Sequence, residues 1–222
     1  MKKIGIIGGL GALASHHFMG RFLYHFRQFH HIDDDDDFPE ICYHSLSSQS
    51  MNEKGQMKDY FPELLIEHAQ MMEKQGVEVI AIICNTAHIH HEKIQQSLSI
   101  PLINMIDITG RYLREKQVSK IAVLCSDFSE RQRLHQHVFE RYNIETVYPV
   151  EYRSEITQLI DCSLKGKNSH TDEMMLKKIA QTYSHSLLGC TELSLIPSED
   201  LHLPGMIDAT EILAQHMAFH CE

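Results

Sequence analysis

The fold of this chain is decided by residues 77–88, which read VEVIAIICNTAH. A run dominated by apolar and β-branched residues is typical of a strand that is buried on both faces, as in a parallel sheet. Gly76 precedes this run, and the helix-forming residues of 87–98 follow it. Cys84 therefore stands at the carboxyl end of a predicted strand, which is the sheet edge where open α/β folds bind ligands.

The same pattern occurs a second time near the end of the chain. The short apolar strand SLLG at 186–189 leads into CTEL at 190–193, and a helix is predicted to begin there. A single free cysteine is usually a small buried hydrophobic residue. Because the pattern is repeated, we expect Cys84 and Cys190 to face each other across one cleft between two halves of the chain.

These motifs resemble those of the cofactor-independent aspartate/glutamate racemase superfamily, and in particular its aspartate racemase branch. The resemblance is carried by CNTAH at 84–88, GCTEL at 189–193 and the opening IGIIGGLGALAS at 4–15, where the family usually has GGMGP. It extends from Ile4 to about Thr210. It implies an α/β fold of two pseudo-symmetric domains, each a parallel sheet flanked by helices, with the active site in the inter-domain cleft. It also implies a homodimer and no cofactor.

The order of predicted elements agrees with such a fold. Strands and helices alternate, which predicts parallel sheets covered by helices. The segment KIAVLCS at 120–126 echoes KIGIIG at 3–8 and marks the start of the second half. The resemblance implies that the C-terminal helix at 209–220 returns to the first half. We therefore place one domain at 1–106 plus 208–222 and the other at 107–207.

Local patterns also predict the individual elements. The strands are predicted at 4–7, 41–45, 77–83, 101–104, 120–126, 146–150 and 186–189. The helices are predicted at 12–30, 60–75, 87–98, 130–142, 152–165, 172–183 and 209–220.

Composition limits the partners and the compartment. The chain has 222 residues and a net charge of −10, which argues against nucleic acid and anionic membranes as partners. Its six cysteines include no C-x-x-C pair, a usage typical of reduced thiols in the cytoplasm. No apolar stretch approaches the length of a membrane span. Glycines interrupt the apolar opening, so we interpret it as a first strand and not as a signal peptide.

Two cofactor hypotheses follow from other residues. Gly9-x-Gly11-x-x-Ala14 fits the dinucleotide fingerprint, which makes a nicotinamide or flavin enzyme an alternative. That fingerprint requires an acidic residue after the second strand, and the strand at 41–45 ends in serine. The acidic run at 33–37 and the histidines at 88, 90 and 91 each suggest a metal site. A run of five like charges is more typical of a solvated surface loop. The three histidines are not accompanied by a matching Cys/His cluster elsewhere in the sequence. We therefore predict no cofactor and no metal.

The chemistry of a racemase explains why two thiols are needed. One base removes the α-proton from one face of the amino acid, and an acid returns a proton to the other face. We assign these catalytic roles to Cys84 and Cys190. A thiol's reference pKa lies near 8.5, so both of its forms are accessible at working pH. Helix N-termini and the hydroxyls of Thr86 and Thr191 are expected to favour the thiolate.

Several further residues are candidates for holding the substrate. Asn85 and backbone N–H groups are suited to the α-carboxylate, and the resemblance suggests that Lys165 also reaches a substrate carboxylate. The polar loop at 47–53 is where the family carries an arginine for the distal carboxylate, yet no arginine occurs between Arg27 and Arg111. The substrate class therefore remains open between acidic and neutral amino acids. The complete set of substrate-binding candidates is Leu10, Ser47, Asn85, Thr86, Lys165, Thr191 and Glu192.

Other functions on the same fold remain alternatives. A decarboxylase or a cis-trans isomerase would use similar strands, and fold alone does not exclude either. A non-catalytic amino-acid-binding protein is a third hypothesis. Such a protein needs no pair of thiols, so the two retained cysteine motifs favour a racemase acting on a small amino acid.

Overall fold

The computed structural model describes residues 1–47, 56–196 and 203–220. Within these ranges the chain forms two four-stranded sheets flanked by helices. The strands are β1 (Ile4–Gly8), β2 (Ile41–Ser45), β3 (Val79–Ile82), β4 (Leu102–Ile103), β5 (Lys120–Leu124), β6 (Glu145–Val147), β7 (Ser186–Leu188) and β8 (Met206–Asp208). The α-helices are α1 (Ala12–His30), α2 (Phe61–Lys74), α3 (His91–Gln95), α4 (Met105–Glu115), α5 (Asp127–Arg131), α6 (Leu134–Phe139), α7 (Arg153–Leu164), α8 (His170–Gln181) and α9 (Ala209–His220).

The two sheets have the same strand order. The first runs β2-β1-β3-β4 and the second runs β6-β5-β7-β8, so each strand of the first half has a counterpart four strands later. All six pairings are parallel. Parallel neighbours need crossover connections, which the helices supply. The prediction of an α/β fold with two similar halves is confirmed.

The central strands of each sheet are buried because both of their faces are covered. Every residue of β1, β3 and β7 is buried, and in β5 only Lys120 is exposed. This burial explains why their sequences are continuous apolar runs with no polar alternation. In each sheet the chain leaves the inner strand β3 or β7 at its carboxyl end and reaches a cysteine two residues later, at Cys84 and at Cys190.

The C-terminal helix joins the first half of the chain. Helix α9 packs against α1 and α4, and its Leu213 and Met217 share a buried core with Phe22 of α1.

The predicted domain boundary at 106/107 falls inside α4, and β8 ends at Asp208 in the second sheet. The domain limits 1–106 plus 208–222 and 107–207 stay a prediction.

An ion network fixes α9 onto α1. The carboxylate of Glu211 accepts hydrogen bonds from Arg21 Nε and Nη2, each at 2.7 Å, and lies 2.6 Å from His25 Nε2. Burial by itself would raise the pKa of Glu211, but the bonds from Arg21 and His25 outweigh it and lower that pKa to about 2. The Glu211 side chain is 27% exposed, so water screens its charge only in part.

This network predicts a loss of stability in acid. A carboxyl whose pKa is lowered in the folded state stabilises the protein above its unfolded pKa and loses that contribution as the pH falls towards the folded pKa. We therefore expect Glu211 to contribute about 2 kcal/mol at neutral pH, lost between about pH 5 and pH 2. Urea unfolding of wild type and Glu211→Gln across this range measures the contribution. The variant should be less stable at pH 7, and the difference should disappear near pH 2. A difference that does not change with pH would contradict this assignment.

Two predicted helices are divided differently, and helix α4 and strand β8 were not predicted. The helix predicted at 87–98 is a 3-10 helix at Thr86–His90 followed by the short α3. The helix predicted at 130–142 is divided into α5, α6 and a final 3-10 turn, with Arg133 in the left-handed region at φ 49. No glycine or proline marks that break, so the local sequence carries no breaker signal. Strand β8 was missed because its three residues acquire strand structure only by pairing with β7.

No helix within residues 1–47, 56–196 and 203–220 has both the length and the apolar character needed to cross a bilayer.

Candidate active site

Both predicted catalytic cysteines line the same cavity. This cavity has a volume of about 300 Å³ and is bordered by residues of both halves of the chain. Cys84 follows β3 and Cys190 follows β7, so the equivalent strand ends of the two sheets meet there. Five of the predicted substrate-binding residues also line it, namely Leu10, Asn85, Thr86, Thr191 and Glu192.

Two predicted substrate-binding residues are not part of this lining. Ser47 is exposed just after β2, and residues 48–53 of the predicted polar loop lie outside the described residues. Lys165 is exposed immediately after α7, whose last residue, Leu164, lines the cavity in its place.

The surroundings of Cys84 favour its protonated form. Burial and the charge of Glu192 raise the pKa of the Cys84 thiol to about 12, although the backbone N–H groups of Ala87 and Thr86 act in the opposite direction. The carbonyl of Cys84 lies 2.8 Å from His88 Nδ1, which positions the backbone at this point.

Cys190 is also held as a thiol. Its Sγ donates to Glu192 Oε2 at 3.0 Å, and Thr191 Oγ1 donates to the same oxygen at 3.1 Å. Burial, followed by the negative charge of Glu192, raises the pKa of Cys190 well above its ordinary value. The predicted preference for thiolates is therefore wrong for this state of the site. Each cysteine precedes only a short 3-10 helix, whose few N–H groups do not offset burial and a nearby carboxylate.

Asn85 presents a hydrogen-bond donor without a partner. The residue is 3% exposed and lines the cavity, and its Nδ2 has no partner among the described residues. Its Oδ1 lies 3.3 Å from Nε2 of the buried His135. Burial lowers the pKa of His135 to about 3, so this ring is neutral at working pH. With its proton on Nε2, His135 donates to Oδ1 and leaves the amide nitrogen available to a ligand acceptor.

His135 could not be recognised from the sequence. It lies on α6, fifty residues from Asn85, and no motif connects the two positions. Its ring also lies next to Gly189, where an added Cβ would come within 3.1 Å of His135 Nε2 and would collide with Val123 at 2.8 Å. The contact exists only because the two halves of the chain pack together.

A group of hydroxyls joins the halves beside Asn85. Thr86 Oγ1 lies 3.0 Å from Ser129 Oγ and 3.4 Å from Ser126 Oγ, across from the first half to the second. Ser126 accepts from the backbone N–H of Ser129 and caps α5. Thr86 is thus bonded to serines, while Thr191 is bonded to Glu192, and these bonds do not favour a thiolate.

Part of the lining was not predicted from the sequence. The residues that follow β5 were not assigned to the site, and Cys125 among them is buried in the core. The missed lining residues are Ser126, Asp127, Phe128, Arg131, Ile160 and Leu164. The available signal was the equivalence of β5 and β1, which places the residues after both strands at the same edge of the site.

A larger opening of about 880 Å³ lies elsewhere and is bordered by His88, Arg111, Arg141 and His216, among others. Neither cysteine belongs to its described lining, which includes no thiol and no hydroxyl. We therefore take the smaller cavity as the candidate active site, since both cysteine thiols and the buried carboxylate of Glu192 line it.

The histidines that suggested a metal have separate partners. His88 bonds to the carbonyl of Cys84, and His91 lies 2.8 Å from the carbonyl oxygen of Leu102. His90 lies 2.8 Å from Met57 Sδ. In the described part of the chain, no group of three or more His, Cys, Asp or Glu side chains is arranged to hold a metal ion.

Comparison with known proteins gives consistent matches over almost the whole chain. The model of the Asp/Glu/Hydantoin racemase family matches residues 7–217. The broad specificity amino-acid racemase RacX of Bacillus subtilis (strain 168) is 25% identical over 217 residues, which are 96% of this chain and 95% of that protein.

Solved structures show the same fold. An aspartate racemase homologue from Pyrococcus horikoshii OT3 has a TM-score of 0.78 at 24% identity and covers 98% of this chain and 97% of its own. The Picrophilus torridus aspartate racemase has a TM-score of 0.80 at 21% identity, with coverages of 96% and 91%. With a family match of this extent, the chain belongs to the Asp/Glu/Hydantoin racemase family and is an isomerase of the amino-acid racemase type.

Proposed function

We propose that this amino-acid racemase transfers the α-proton of its substrate with Cys84 and Cys190 as opposed acid and base, without a cofactor. The observation that carries the proposal is the position of the two thiols, at equivalent strand ends and in one cavity. In each direction one cysteine removes the α-proton as a thiolate, and the other delivers a proton from its thiol to the opposite face. The two cysteines end the reaction with their protonation states exchanged.

The polar groups near Cys84 are suited to the α-carboxylate. Asn85 offers its unpartnered Nδ2, and the hydroxyls of Thr86 and Ser126 line the cavity beside it. Negative charge develops on the α-carboxylate as the proton leaves, and donors already aimed at it stabilise that charge. Leu10 supplies an apolar wall. The proposal assigns no step to Ser47 or Lys165.

Glu192 is suited to the substrate's ammonium group. Its carboxylate is buried, lines the cavity and raises the pKa of both thiols. An ammonium group placed against Glu192 would offset that charge and lower both pKa values towards working pH. Binding of the substrate then helps to ionise the thiol that acts as base.

Exchange of the α-proton with solvent tests this function. We expect wild-type protein in deuterated water to give product of inverted configuration with deuterium at Cα, because the proton returned comes from a thiol that exchanges with solvent. Mass spectrometry and chiral chromatography over a panel of amino acids of both hands measure the two events together. Activity should be insensitive to hydroxylamine, which traps pyridoxal enzymes. Inversion without any deuterium, or exchange on no amino acid of the panel, would overturn the proposal.

We also propose a homodimer that acts in the cytoplasm. The dimer follows from the family resemblance, and light scattering of the purified chain tests it. The five described cysteines are all free thiols, which supports a reducing compartment. If the purified chain is a monomer, the proposal of a homodimer is wrong, but the proposed chemistry is unaffected.

A further inference from the structure

One buried imidazole lies against both of the motifs that carry the proposed catalytic cysteines. His135 of α6 is fully buried, and its Nε2 lies 3.3 Å from Oδ1 of Asn85, which directly follows Cys84. The same ring lies beside Gly189, which directly precedes Cys190. The proposed mechanism assigns no step to this ring, and His135 is not among the described lining residues of the cavity.

The ring has little freedom to leave this position. Gly189 has no side chain, so the ring can lie against the strand end on one side. The buried Phe139, one turn further along α6, packs against it with ring centroids 5.9 Å apart. Because a close-packed interior leaves a side chain few alternative rotamers, the position of His135 Nε2 opposite Asn85 is fixed.

The side chain of Asn85 has no other group to orient it. Asn85 is the N-cap residue of the 3-10 helix Thr86–His90, and an asparagine at the N-cap of a helix usually accepts from a backbone N–H of the first turn. Here the side chain makes no capping bond, and its Oδ1 faces His135 Nε2 instead. The imidazole therefore replaces the helix end as the partner of this amide.

The tautomer of His135 determines which end of the Asn85 amide is left for a ligand. Burial lowers the pKa of His135 to about 3, so the ring is neutral at working pH and has one N–H. A proton on Nε2 is donated to Asn85 Oδ1, whereas Nδ1 has no partner among the described residues. A buried N–H without an acceptor is costly, so the proton stays on Nε2. Oδ1 is then occupied, and the unpartnered donor is Asn85 Nδ2.

We infer that His135 is a positioning residue, which holds the amide of Asn85 so that Nδ2 donates to the α-carboxylate of the substrate. This inference rests on the proposed function and adds the group that orients the carboxylate donor. If the amide were turned round, Oδ1 would face the carboxylate, and two acceptors repel each other. His135 thus keeps a donor in place for the oxygen on which negative charge develops, and it does so without touching the substrate.

Two amide variants of His135 test this assignment as a matched pair. Glutamine places its amide where the imidazole has Nε2, whereas asparagine, one methylene shorter, places it near Nδ1. His135→Asn should lower kcat/KM by about 10–100-fold, the range of one hydrogen bond to a charged group, and the loss should include a higher KM. His135→Gln still reaches Asn85 Oδ1 and should limit the loss to about threefold. A merely structural defect would lower the folded fraction and the apparent kcat, but it would not raise KM.

A control variant and a double-mutant cycle locate the effect. His137 is exposed on the same helix and lies outside the described lining of the cavity, so His137→Asn should leave KM unchanged. In an Asn85→Ala background the group that His135 orients is absent. His135→Asn and His135→Gln should then differ by less than about threefold, because residues that act through one contact are not additive. If His135→Asn does not fold, His135→Leu takes its place, since leucine fills a similar volume and has no donor.

Binding of amino acids without an α-proton separates this inference from the proposed function. 2-Aminoisobutyrate and α-methylaspartate have an α-carboxylate and an ammonium group but no proton to remove, so they report binding without turnover. In calorimetric titrations, His135→Asn should bind them at least about tenfold more weakly than wild type, and His135→Gln should not. If this difference appears in a protein that exchanges no α-proton, the racemase mechanism fails and the positioning role stands. Equal binding by wild type and His135→Asn, an equal loss in both His135 variants, an undiminished difference between them in Asn85→Ala, or a wild type that binds neither analogue would overturn the inference.

Discussion

Replacing Cys84 or Cys190 with serine is expected to slow racemisation by about 10²–10⁴-fold, the contribution of a positioned acid or base. Serine is nearly isosteric with cysteine, so the fold should be retained. Its hydroxyl is far less acidic than a thiol, and it therefore carries a proton poorly on its face of the substrate. Because the ground state hardly needs the missing base, the loss should lie in kcat while KM changes little.

Proton exchange distinguishes the two cysteine variants from each other. Each single variant keeps one thiol, so it should still exchange the α-proton of one enantiomer slowly, and the two variants should prefer opposite hands. Cys42→Ser is the matched control, because Cys42 is a free cysteine on β2 outside the described lining of the cavity. If either catalytic variant racemises a confirmed substrate at nearly the wild-type rate, that cysteine is structural and the two-base mechanism is wrong.

Gly11→Ala is expected to damage both stability and activity, because Gly11 lies directly against Glu192. Its φ of 135 is a conformation that side chains rarely adopt, and an added Cβ would collide with Glu192 Oε1. Backbone strain of this kind costs about 1–3 kcal/mol. Moving Glu192 also removes the acceptor of the Cys190 thiol. A displacement of about 1 Å at a reacting group can lower the rate by about 10²-fold, so we expect a loss of that order.

Gly20→Ala, a glycine-to-alanine substitution within the following helix, provides the control for Gly11→Ala. Gly20 lies inside α1, and an added Cβ there meets no atom within 4 Å. Gly20→Ala should raise stability by about 0.5–1 kcal/mol, as alanine does in a helix interior, and leave turnover unchanged. Thermal unfolding and kcat of both variants complete the comparison. Wild-type activity in Gly11→Ala would mean that Glu192 does not position Cys190.

Much of the fold follows from local sequence. Helices α1 and α9 and strand β2 have the bounds that their patterns predict. Helix α1 begins directly after the glycines at 8, 9 and 11, α9 is rich in apolar helix-forming residues, and β2 ends at a serine. The repeated strand-then-cysteine unit also placed Cys84 and Cys190 at equivalent strand ends. Identical strand order in two parallel sheets then leaves the two thiols at corresponding edges.

The electrostatic state of the site was decided only by the tertiary structure. Whether Cys84 and Cys190 are thiols or thiolates depends on burial and on Glu192. Glu192 is a sequence neighbour of Cys190, but it acts on Cys84 only across the contact between the two halves. The same is true of His135, which orients Asn85, and of Arg131, which brings a guanidinium to the cavity from the second half. Sequence periodicity reports which face of an element is buried, but it carries no information about which side chains of distant elements meet. The reacting residues were therefore predictable from their motifs, whereas the charges and donors around them depend on contacts between the two halves.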